Sequence, residues 1–142
     1  MAAGNKNIIF TGYQSGKILH ELYSNAYAFA HPSESEGLPM AVLEAAAYGL
    51  PIIASDIPAH KELMQSWVLI FNNKDVDELH DNLQYILQNP EEAEKIGKAG
   101  RKYVLENYGW DEVIAETKNL YHKIINLENC ENEAAALQVV EL

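Results

Sequence analysis

The sequence predicts an α/β fold with a parallel sheet of about four strands, flanking helices and a helical C-terminal segment. Short apolar runs alternate with helical patterns through the first 70 residues, which is typical of parallel strands joined by crossover helices. The length of 142 residues fits one domain. A composition of 48% hydrophobic and 22% charged residues is ordinary for a chain with a packed core.

Four apolar runs are predicted to be strands. They are Asn7–Thr11, Ala26–Ala30, Pro51–Ala54 and Trp67–Phe71. A helix over Ser15–Ser24 is indicated by apolar residues that recur on one helical face. A second helix, from about Pro39 to Tyr48, is predicted to end at Gly49, since glycine favours the backbone conformation that closes helices.

The rest of the chain is predicted to form three helices. Asp75 with Glu78, and Asn89 with Glu92, have the spacing of a capping side chain and an acid three residues later. A third helix is expected to start at Asp111. The apolar positions of these helices are Val76, Leu79, Leu83 and Ile86, then Ile96, Tyr103 and Val104, then Val113, Ile114, Thr117, Leu120, Tyr121 and Ile124. The apolar period is lost after residue 126, so 127–142 is predicted to be a tail with at most a short helix over Ala134–Leu142.

Charge and residue usage exclude several function classes. The formal net charge is −11 and Arg101 is the only arginine, so nucleic acid is not an expected partner. No apolar run is long enough to span a bilayer and no secretory signal pattern precedes the first predicted strand, which predicts a cytosolic chain. Cys130 has no disulfide partner in the chain. The five histidines show no paired ligand spacing, so a metal site is not expected. No cofactor is predicted either.

The segment 31–49 is the most informative part of the sequence. It follows a predicted strand and opens a helix, where ligands bind in open parallel sheets. Gly37 permits close approach of a ligand to the backbone, and Pro39 suits a first helical turn. The N–H groups of Met40 and Ala41 would then face a diphosphate at the positive end of the helix dipole.

Glu44 is the only charged residue between Leu38 and Ile53, so its helix is predicted to be buried nearly all round. A buried carboxylate needs a partner, which is either another protein group or a ligand. Glu44 lies roughly 7 Å along the helix from its start. At that distance its two oxygens are suited to a pair of ribose hydroxyls, while Glu36 on the preceding loop would face a sugar on the other side of the phosphates.

The same residues carry a resemblance to a known family. The matching pattern is Pro32-Ser33-x-x-Glu36-Gly37-Leu38-Pro39-x4-Glu44-Ala45, followed by Gly49-x-Pro51 and Ile52-Ile53-Ala54-Ser55-Asp56. It resembles the retaining, nucleotide-sugar-dependent group 1 glycosyltransferases, whose GT-B fold has two Rossmann-like domains. The likeness extends over about nine-tenths of the chain, from Ile8 to the last helix.

The resemblance implies a role for each matching residue. Glu36 would contact the donor sugar and is the catalytic candidate, while Glu44 would bind the ribose hydroxyls. Backbone groups of the loop and helix start would hold the diphosphate, and the loop before the first helix would lie against the nucleobase. The remaining donor-binding residues are Tyr13, Gln14, Gly37, Leu38, Met40 and Ala41. Asp56 and Glu62 fall at ligand-side positions of the family.

The resemblance also implies what the chain lacks. The family's paired arginine and lysine, which neutralise the leaving diphosphate, have no counterpart here, and neither does the N-terminal acceptor domain. Residues 1–126 are therefore predicted to be a partial nucleotide-sugar-binding domain, inactive alone. The parent enzyme would transfer a hexose to a glycan, lipid or small-molecule acceptor, in the cytoplasm or at a membrane surface.

Strand order gives a further expectation. In a Rossmann-like sheet ordered 3-2-1-4-5-6, the strands found here correspond to the third through sixth, so Asn7–Thr11 has lost its neighbours. Unpaired strand edges invite another chain, which predicts a homodimer by strand exchange.

Two other interpretations fit the sequence. The chain is either a non-catalytic α/β binding or assembly module without productive nucleotide affinity, or an unrelated flavodoxin-like domain in which the spacing of Glu36 and Glu44 is accidental.

Overall fold

The computed structural model describes residues 5–63 and 67–138, with side chains described as far as residue 126. The elements are α1 (Gly16–Asn25), β1 (Phe29–His31), α2 (Met40–Ala47), β2 (Ile52–Ser55), α3 (Pro58–Leu63), β3 (Val68–Phe71), α4 (Val76–Gln88), α5 (Pro90–Asn107) and α6 (Trp110–Gln138). They form two compact units, Met1–Val104 and Leu105–Leu142.

The sheet of the first unit has three parallel strands in the order β1-β2-β3. Phe29 pairs with Ile52, and Ile52 pairs with Val68. The intervening α2 and α3 are the crossovers that parallel neighbours require. The predicted α/β class is confirmed, and all four residues of β2 are buried, as expected for the central strand.

The predicted strand at Asn7–Thr11 is wrong. This segment forms no strand among the described residues, and Ile9 and Phe10 are 80% and 81% exposed. An isolated extended segment leaves its N–H and C=O groups without a ladder, so apolar composition alone does not make it a strand. The sheet formed by the described residues therefore has three strands rather than about four.

The turn after α2 forms as the sequence predicts. Gly49 has a φ of 78°, and the N–H groups of Gly49 and Leu50 donate to the carbonyls of Ala46 and Ala45. This is the paired hydrogen bonding of a Schellman cap. A Cβ at Gly97 of α5 would collide with the Gly49 carbonyl, so glycine is required at this close approach.

The core lies between the sheet and the helices that follow it. Ile53, Phe71, Ile86 and Ala93 form a buried cluster, flanked by the partly buried Ala28, Leu69, Leu79 and Leu83. Val76, predicted to be buried in α4, is instead 74% exposed, since it lies in the first turn, at the end of the apolar face. Ile96 and Val104 of α5 are buried as predicted.

The two predicted helix starts differ in how they are capped. The Asp75 carboxylate accepts the Glu78 N–H at 2.9 Å, which is the predicted cap of α4. The Asn89 side-chain amide donates to the Tyr85 carbonyl at 2.8 Å and so closes α4, while the Asn89 backbone carbonyl accepts the Glu92 N–H at 3.1 Å at the start of α5. Pro90 begins α5 one residue later.

The second unit contains the helix α6. It begins at Trp110, one residue before the predicted start, and continues to Gln138 across the predicted boundary at residue 126. The apolar positions predicted for this helix are solvent-exposed, including Ile114 and Leu120 at 46% and 57%. The last four residues of the predicted tail, 139–142, lie outside the described residues.

None of the helices in residues 5–63 and 67–138 combines the length and the apolar character needed to cross a bilayer.

Candidate functional site

The predicted site lies on the segment that joins the carboxyl end of β1 to the start of α2. This is the edge of a parallel sheet where ligands usually bind. Glu36 is on the loop and Glu44 is in the helix, and the structure places the two carboxylates in different surroundings.

The residues around the first carboxylate are termed the Glu36 cluster. They are His31, Ser33, Glu36, Ser55 and His60. The Ser33 hydroxyl donates to Glu36 Oε1 at 2.7 Å, and His31 Nε2 lies 3.6 Å from the same oxygen. The Glu36 side chain is 31% exposed. The Ser55 hydroxyl at the end of β2 donates to the Ser33 carbonyl at 2.5 Å, which ties the loop to the sheet.

Behind Glu36, the cluster extends into the core. His60 is fully buried, with Nδ1 2.8 Å from the Ser55 carbonyl and Nε2 3.0 Å from His31 Nδ1. Burial, and then the neighbouring His60 ring, lower the pKa of His31 below its ordinary value, while the Glu36 carboxylate acts in the opposite direction. His31 is therefore neutral at pH 7.

Sequence patterns do not reveal this histidine pair. His31 and His60 are 29 positions apart and come together only because β1 pairs with β2 and α3 folds back over the strand ends. The one local signal is the position of His31 at the end of a strand, directly before the candidate loop.

The residues around the second carboxylate are termed the Glu44 cluster. They are His20, Tyr23, Glu44 and Tyr48. Glu44 is exposed, so the prediction of a helix buried nearly all round is wrong. Val42, Leu43, Ala45 and Ala46 are buried, whereas one face of α2 is open. An exposed carboxylate carries no large desolvation cost, so burial does not demand a partner for Glu44.

Two tyrosines flank the Glu44 carboxylate. The Tyr23 hydroxyl donates to Glu44 Oε2 at 3.4 Å, and the rings of Tyr23 and Tyr48 stack with centroids 5.3 Å apart. Burial, followed by the charge and hydrogen bond of Glu44, raises the pKa of Tyr23, so its hydroxyl remains a donor. The Tyr48 hydroxyl in turn contacts His20 Nδ1.

A cleft of about 160 Å³ opens beside Glu44, lined by Gly16, Leu19, His20, Tyr23, Glu44 and Tyr48. Pockets for drug-sized ligands are larger, at about 300–1,000 Å³. The cleft between α1 and α2 therefore has room for one small polar ring, which can donate hydroxyl protons to the carboxylate.

The start of α2 differs from the expected anion site in one respect. The Met40 N–H donates to the Leu38 carbonyl at 2.9 Å, so it is not free in this structure. A phosphate at this position would replace that bond. Leu38 and Met40 are 56% and 46% exposed, and a Cβ at Gly37 would meet no atom within 4 Å, so a ligand can reach the backbone from solvent.

The loop predicted to contact a nucleobase precedes α1. Tyr13 is 92% exposed, and Gly12 has a φ of 65°. The Gln14 amide donates to the Thr11 carbonyl at 2.6 Å, which holds the turn. The ring of Tyr13 is thus presented to solvent and the side chain of Gln14 is engaged within its own loop.

Asp56 has a structural role in the described chain. It accepts the Asn73 N–H at 3.0 Å and pairs with Lys61 at 3.1 Å, linking the ends of β2 and β3. The Asn73 hydrogen bond, and then Lys61, lower the pKa of Asp56. Glu62, the other ligand-side position implied by the resemblance, is exposed in α3.

In the part of the chain that the structure describes, no group of three or more histidine, cysteine, aspartate or glutamate side chains is arranged to hold a metal ion.

Comparison with known families gives one clear match. The family model for glycosyl transferases group 1 matches residues 2–103, which is more than half of the chain. This range contains both the Glu36 cluster and the Glu44 cluster.

Individual relatives are similar over the same part of the chain. The sulfoquinovosyl transferase SQD2 of Arabidopsis thaliana is 35% identical over 118 residues, covering 78% of this chain and 22% of that protein. The MMP alpha-(1->4)-mannosyltransferase of Mycolicibacterium hassiacum is 33% identical over 114 residues, covering 78% of this chain and 28% of that protein. The chain thus spans about a quarter of the length of these relatives.

The fold is also similar to that of a solved structure. Sucrose-phosphate synthase from Thermosynechococcus elongatus superposes with a TM-score of 0.73 and 28% sequence identity, covering 78% of this chain and 28% of that chain. The Rossmann-like arrangement of the first unit is therefore that of a GT-B glycosyltransferase.

Proposed function

This chain belongs to the group 1 glycosyl transferases, and on that premise we propose that its first compact unit binds the nucleotide-sugar donor of a retaining glycosyltransferase. The parent enzyme would transfer a hexose from a nucleoside diphosphate to a glycan, lipid or small-molecule acceptor. In this proposal the acceptor site belongs to an N-terminal domain that the described residues do not contain.

The observation that carries the proposal is the cleft beside Glu44. It holds an exposed carboxylate in a space of about 160 Å³, between α1 and α2. A vicinal diol is a good partner for a carboxylate, because each hydroxyl donates to one oxygen. A ribose in this cleft would direct the diphosphate toward the start of α2, where exposed backbone and the helix dipole favour negative charge.

Glu36 is assigned to the sugar end of the donor. Its loop precedes α2, and Ser33 orients one carboxylate oxygen at 2.7 Å. The second oxygen is available to accept from hydroxyls of the hexose. In the transfer step the bond between the anomeric carbon and the diphosphate oxygen breaks, and a bond from that carbon to the acceptor's hydroxyl oxygen forms as the hydroxyl loses its proton. Glu36 would hold the hexose in place while the diphosphate departs.

Donor binding can be tested by isothermal titration with UDP, GDP and ADP. One of these nucleotides should bind with millimolar affinity, and Glu44→Ala should weaken that binding at least about tenfold, the effect of losing roughly 1.4 kcal/mol. Glu21→Ala is the matched control, because Glu21 is an exposed acid of α1 that pairs with Lys17. Equal binding by the two variants would contradict the assignment of Glu44.

Turnover by this chain alone should be undetectable. The family's arginine and lysine pair would stabilise the leaving diphosphate, and loss of one comparable electrostatic group costs about 10²–10³ in rate. Release of nucleoside diphosphate from UDP-, GDP- or ADP-glucose, measured against a heat-treated control, is the appropriate assay. Release above that control would show that the present residues suffice.

An assembly role is the second candidate, and the exposed segment around Ile9 and Phe10 favours it. These apolar side chains are 80% and 81% exposed, and β1 is at one end of the strand order. A second copy that adds this segment to β1 would form the predicted strand-exchanged homodimer. Sedimentation should then show a concentration-dependent dimer that is lost in an Ile9→Lys, Phe10→Lys variant.

A further inference from the structure

The Glu36 cluster contains a line of four hydrogen-bonding groups that runs from the core to the loop. The Ser55 carbonyl is 2.8 Å from His60 Nδ1, His60 Nε2 is 3.0 Å from His31 Nδ1, and His31 Nε2 is 3.6 Å from Glu36 Oε1. Exposure increases along this line, since His60 is fully buried while the side chains of His31 and Glu36 are 19% and 31% exposed. The line therefore connects a buried carbonyl to the carboxylate assigned to the sugar.

The chemistry of each group fixes where the protons are. A carbonyl oxygen only accepts, so His60 Nδ1 carries a proton and donates to Ser55. A neutral His60 then accepts at Nε2, and His31 Nδ1 must be the donor across the 3.0 Å contact. In the neutral pair both rings thus carry their proton on Nδ1.

This proton arrangement has a consequence for Glu36. A neutral His31 that donates from Nδ1 presents the lone pair of Nε2 to the carboxylate, so no hydrogen bond forms between them. One additional proton on the pair places an N–H at Nε2, which donates to Glu36 as a charged imidazolium. The contact between His31 and Glu36 is therefore attractive only when the pair is protonated.

We propose that His31 and His60 are positioning residues that control the Glu36 carboxylate through one proton. When the pair carries the additional proton, His31 draws Glu36 toward the core and occupies its Oε1. When the pair is neutral, His31 no longer holds Glu36, which is then oriented by Ser33 and accepts hydrogen bonds from the hydroxyls of the donor sugar. This inference rests on the proposed function, because Glu36 is assigned there to the sugar.

The groups that face the pair define the direction of the switch. His31 is faced by His60 from α3 and by Glu36 from the loop, and its ring stacks on Phe29 of β1 with centroids 5.9 Å apart. His60 is faced by Ser55 at the end of β2. Burial and the neighbouring ring lower the pKa of His31, so a neutral His31 that does not hold Glu36 prevails at neutral pH. Mild acidification restores the bond.

The tautomers can be measured directly by nitrogen NMR of the imidazole rings in the full chain. At pH 7.5 both His31 and His60 should carry their proton on Nδ1, whereas free histidine favours the Nε2 tautomer. His60→Gln, which keeps an acceptor near the Nε2 position, should preserve the Nδ1 tautomer of His31, and His60→Ala should not. A proton on Nε2 of either ring in the wild-type chain at pH 7.5 would overturn the proposal.

A titration of His31 gives the second criterion. Glu36→Gln should lower the pKa of His31 further, because it removes the charge that favours the imidazolium. Glu34→Gln is the matched control, since Glu34 is on the same loop but pairs with Lys74 at 3.2 Å. An unchanged pKa of His31 in Glu36→Gln would contradict the proposed contact.

Ligand binding gives the third criterion. The hexose should increase the affinity for the nucleotide, and this increase is the ratio of the affinities for UDP-glucose and UDP, GDP-mannose and GDP, or ADP-glucose and ADP. The ratio should fall at least about threefold between pH 7.5 and pH 5.5. Because the terminal phosphate of the free nucleoside diphosphate is itself protonated near pH 6, the control is the same measurement with Glu36→Gln, in which the loss should be smaller. If a nucleotide binds and the hexose increment is independent of pH, the release of Glu36 is wrong. If no nucleotide binds, the donor-site proposal fails, and the two NMR criteria still decide whether the histidine pair holds Glu36.

Discussion

The Glu36 cluster and the Glu44 cluster orient their carboxylates in different ways. Behind Glu36, a line of groups runs to the fully buried His60, and the Ser33 hydroxyl donates to the Glu36 carboxylate at 2.7 Å. Glu44 is exposed and is contacted from the side by Tyr23, over a long 3.4 Å hydrogen bond. Both carboxylates reach solvent, but the contacts of the Glu36 cluster with the core make that cluster sensitive to packing and protonation.

The largest predicted difference between the clusters concerns their histidines. His60→Ala removes a fully buried ring and its bonds to Ser55 and His31, and should lower the free energy of unfolding by about 2–4 kcal/mol. His20→Ala, in the Glu44 cluster, should change it by less than about 0.5 kcal/mol, because His20 is exposed. Urea denaturation measures both values, and equal losses would remove the contrast between a buried and a surface cluster.

The next prediction concerns pH. Because the pKa of His31 is lowered in the folded state, the unfolded chain binds more protons between that value and about 6.5. Stability should therefore fall as the pH is lowered through this interval. His31→Asn should reduce the slope of stability against pH just below about pH 6.5, while Glu44→Gln should retain it.

Urea midpoints at several pH values provide the test of that slope. A wild-type slope that survives in His31→Asn would assign the pH dependence to another group. Asp56 affects stability over a different pH range from His31. Because its pKa is lowered, Asp56 stabilises the fold above about pH 4, and this stabilisation is lost only at more acidic pH.

The smallest prediction compares the hydroxyls that orient the two carboxylates. Ser33→Ala removes a 2.7 Å bond to Glu36 and should cost about 1 kcal/mol of unfolding free energy. Tyr23→Phe removes a 3.4 Å bond to the exposed Glu44 and should cost less than about 0.5 kcal/mol. The reverse order of the two losses would show that Glu44 is the more firmly held carboxylate.

Local features of the fold were predictable from the sequence because their causes lie within a few residues. The turn at Gly49 and the cap at Asp75 depend on one residue and its immediate neighbours. The predicted strands from residue 26 onward are found within a few residues of their expected bounds. Asn7–Thr11 was not predictable in the same way, because a strand requires a partner that a local apolar run does not specify.

The same distinction between local and long-range causes applies to the candidate site. The positions of Glu36 and Glu44 on a loop and a helix follow from the local pattern, and the structure confirms those elements. The exposure of Glu44 and the pairing of His31 with His60 depend on which elements fold over them. Such long-range contacts produce no periodic residue pattern in the sequence, so the histidine pair was visible only in the structure.

In the proposed donor site, a nucleoside diphosphate binds with its ribose at Glu44 and its phosphates at the start of α2. Backbone amide NMR during titration with the nucleotide that binds in the calorimetric assay tests this claim most directly. The largest chemical-shift changes are expected at Met40, Ala41 and Glu44, with smaller changes at Tyr13 and Gln14. Changes confined to the turn between α4 and α5, or none at millimolar nucleotide, would contradict it.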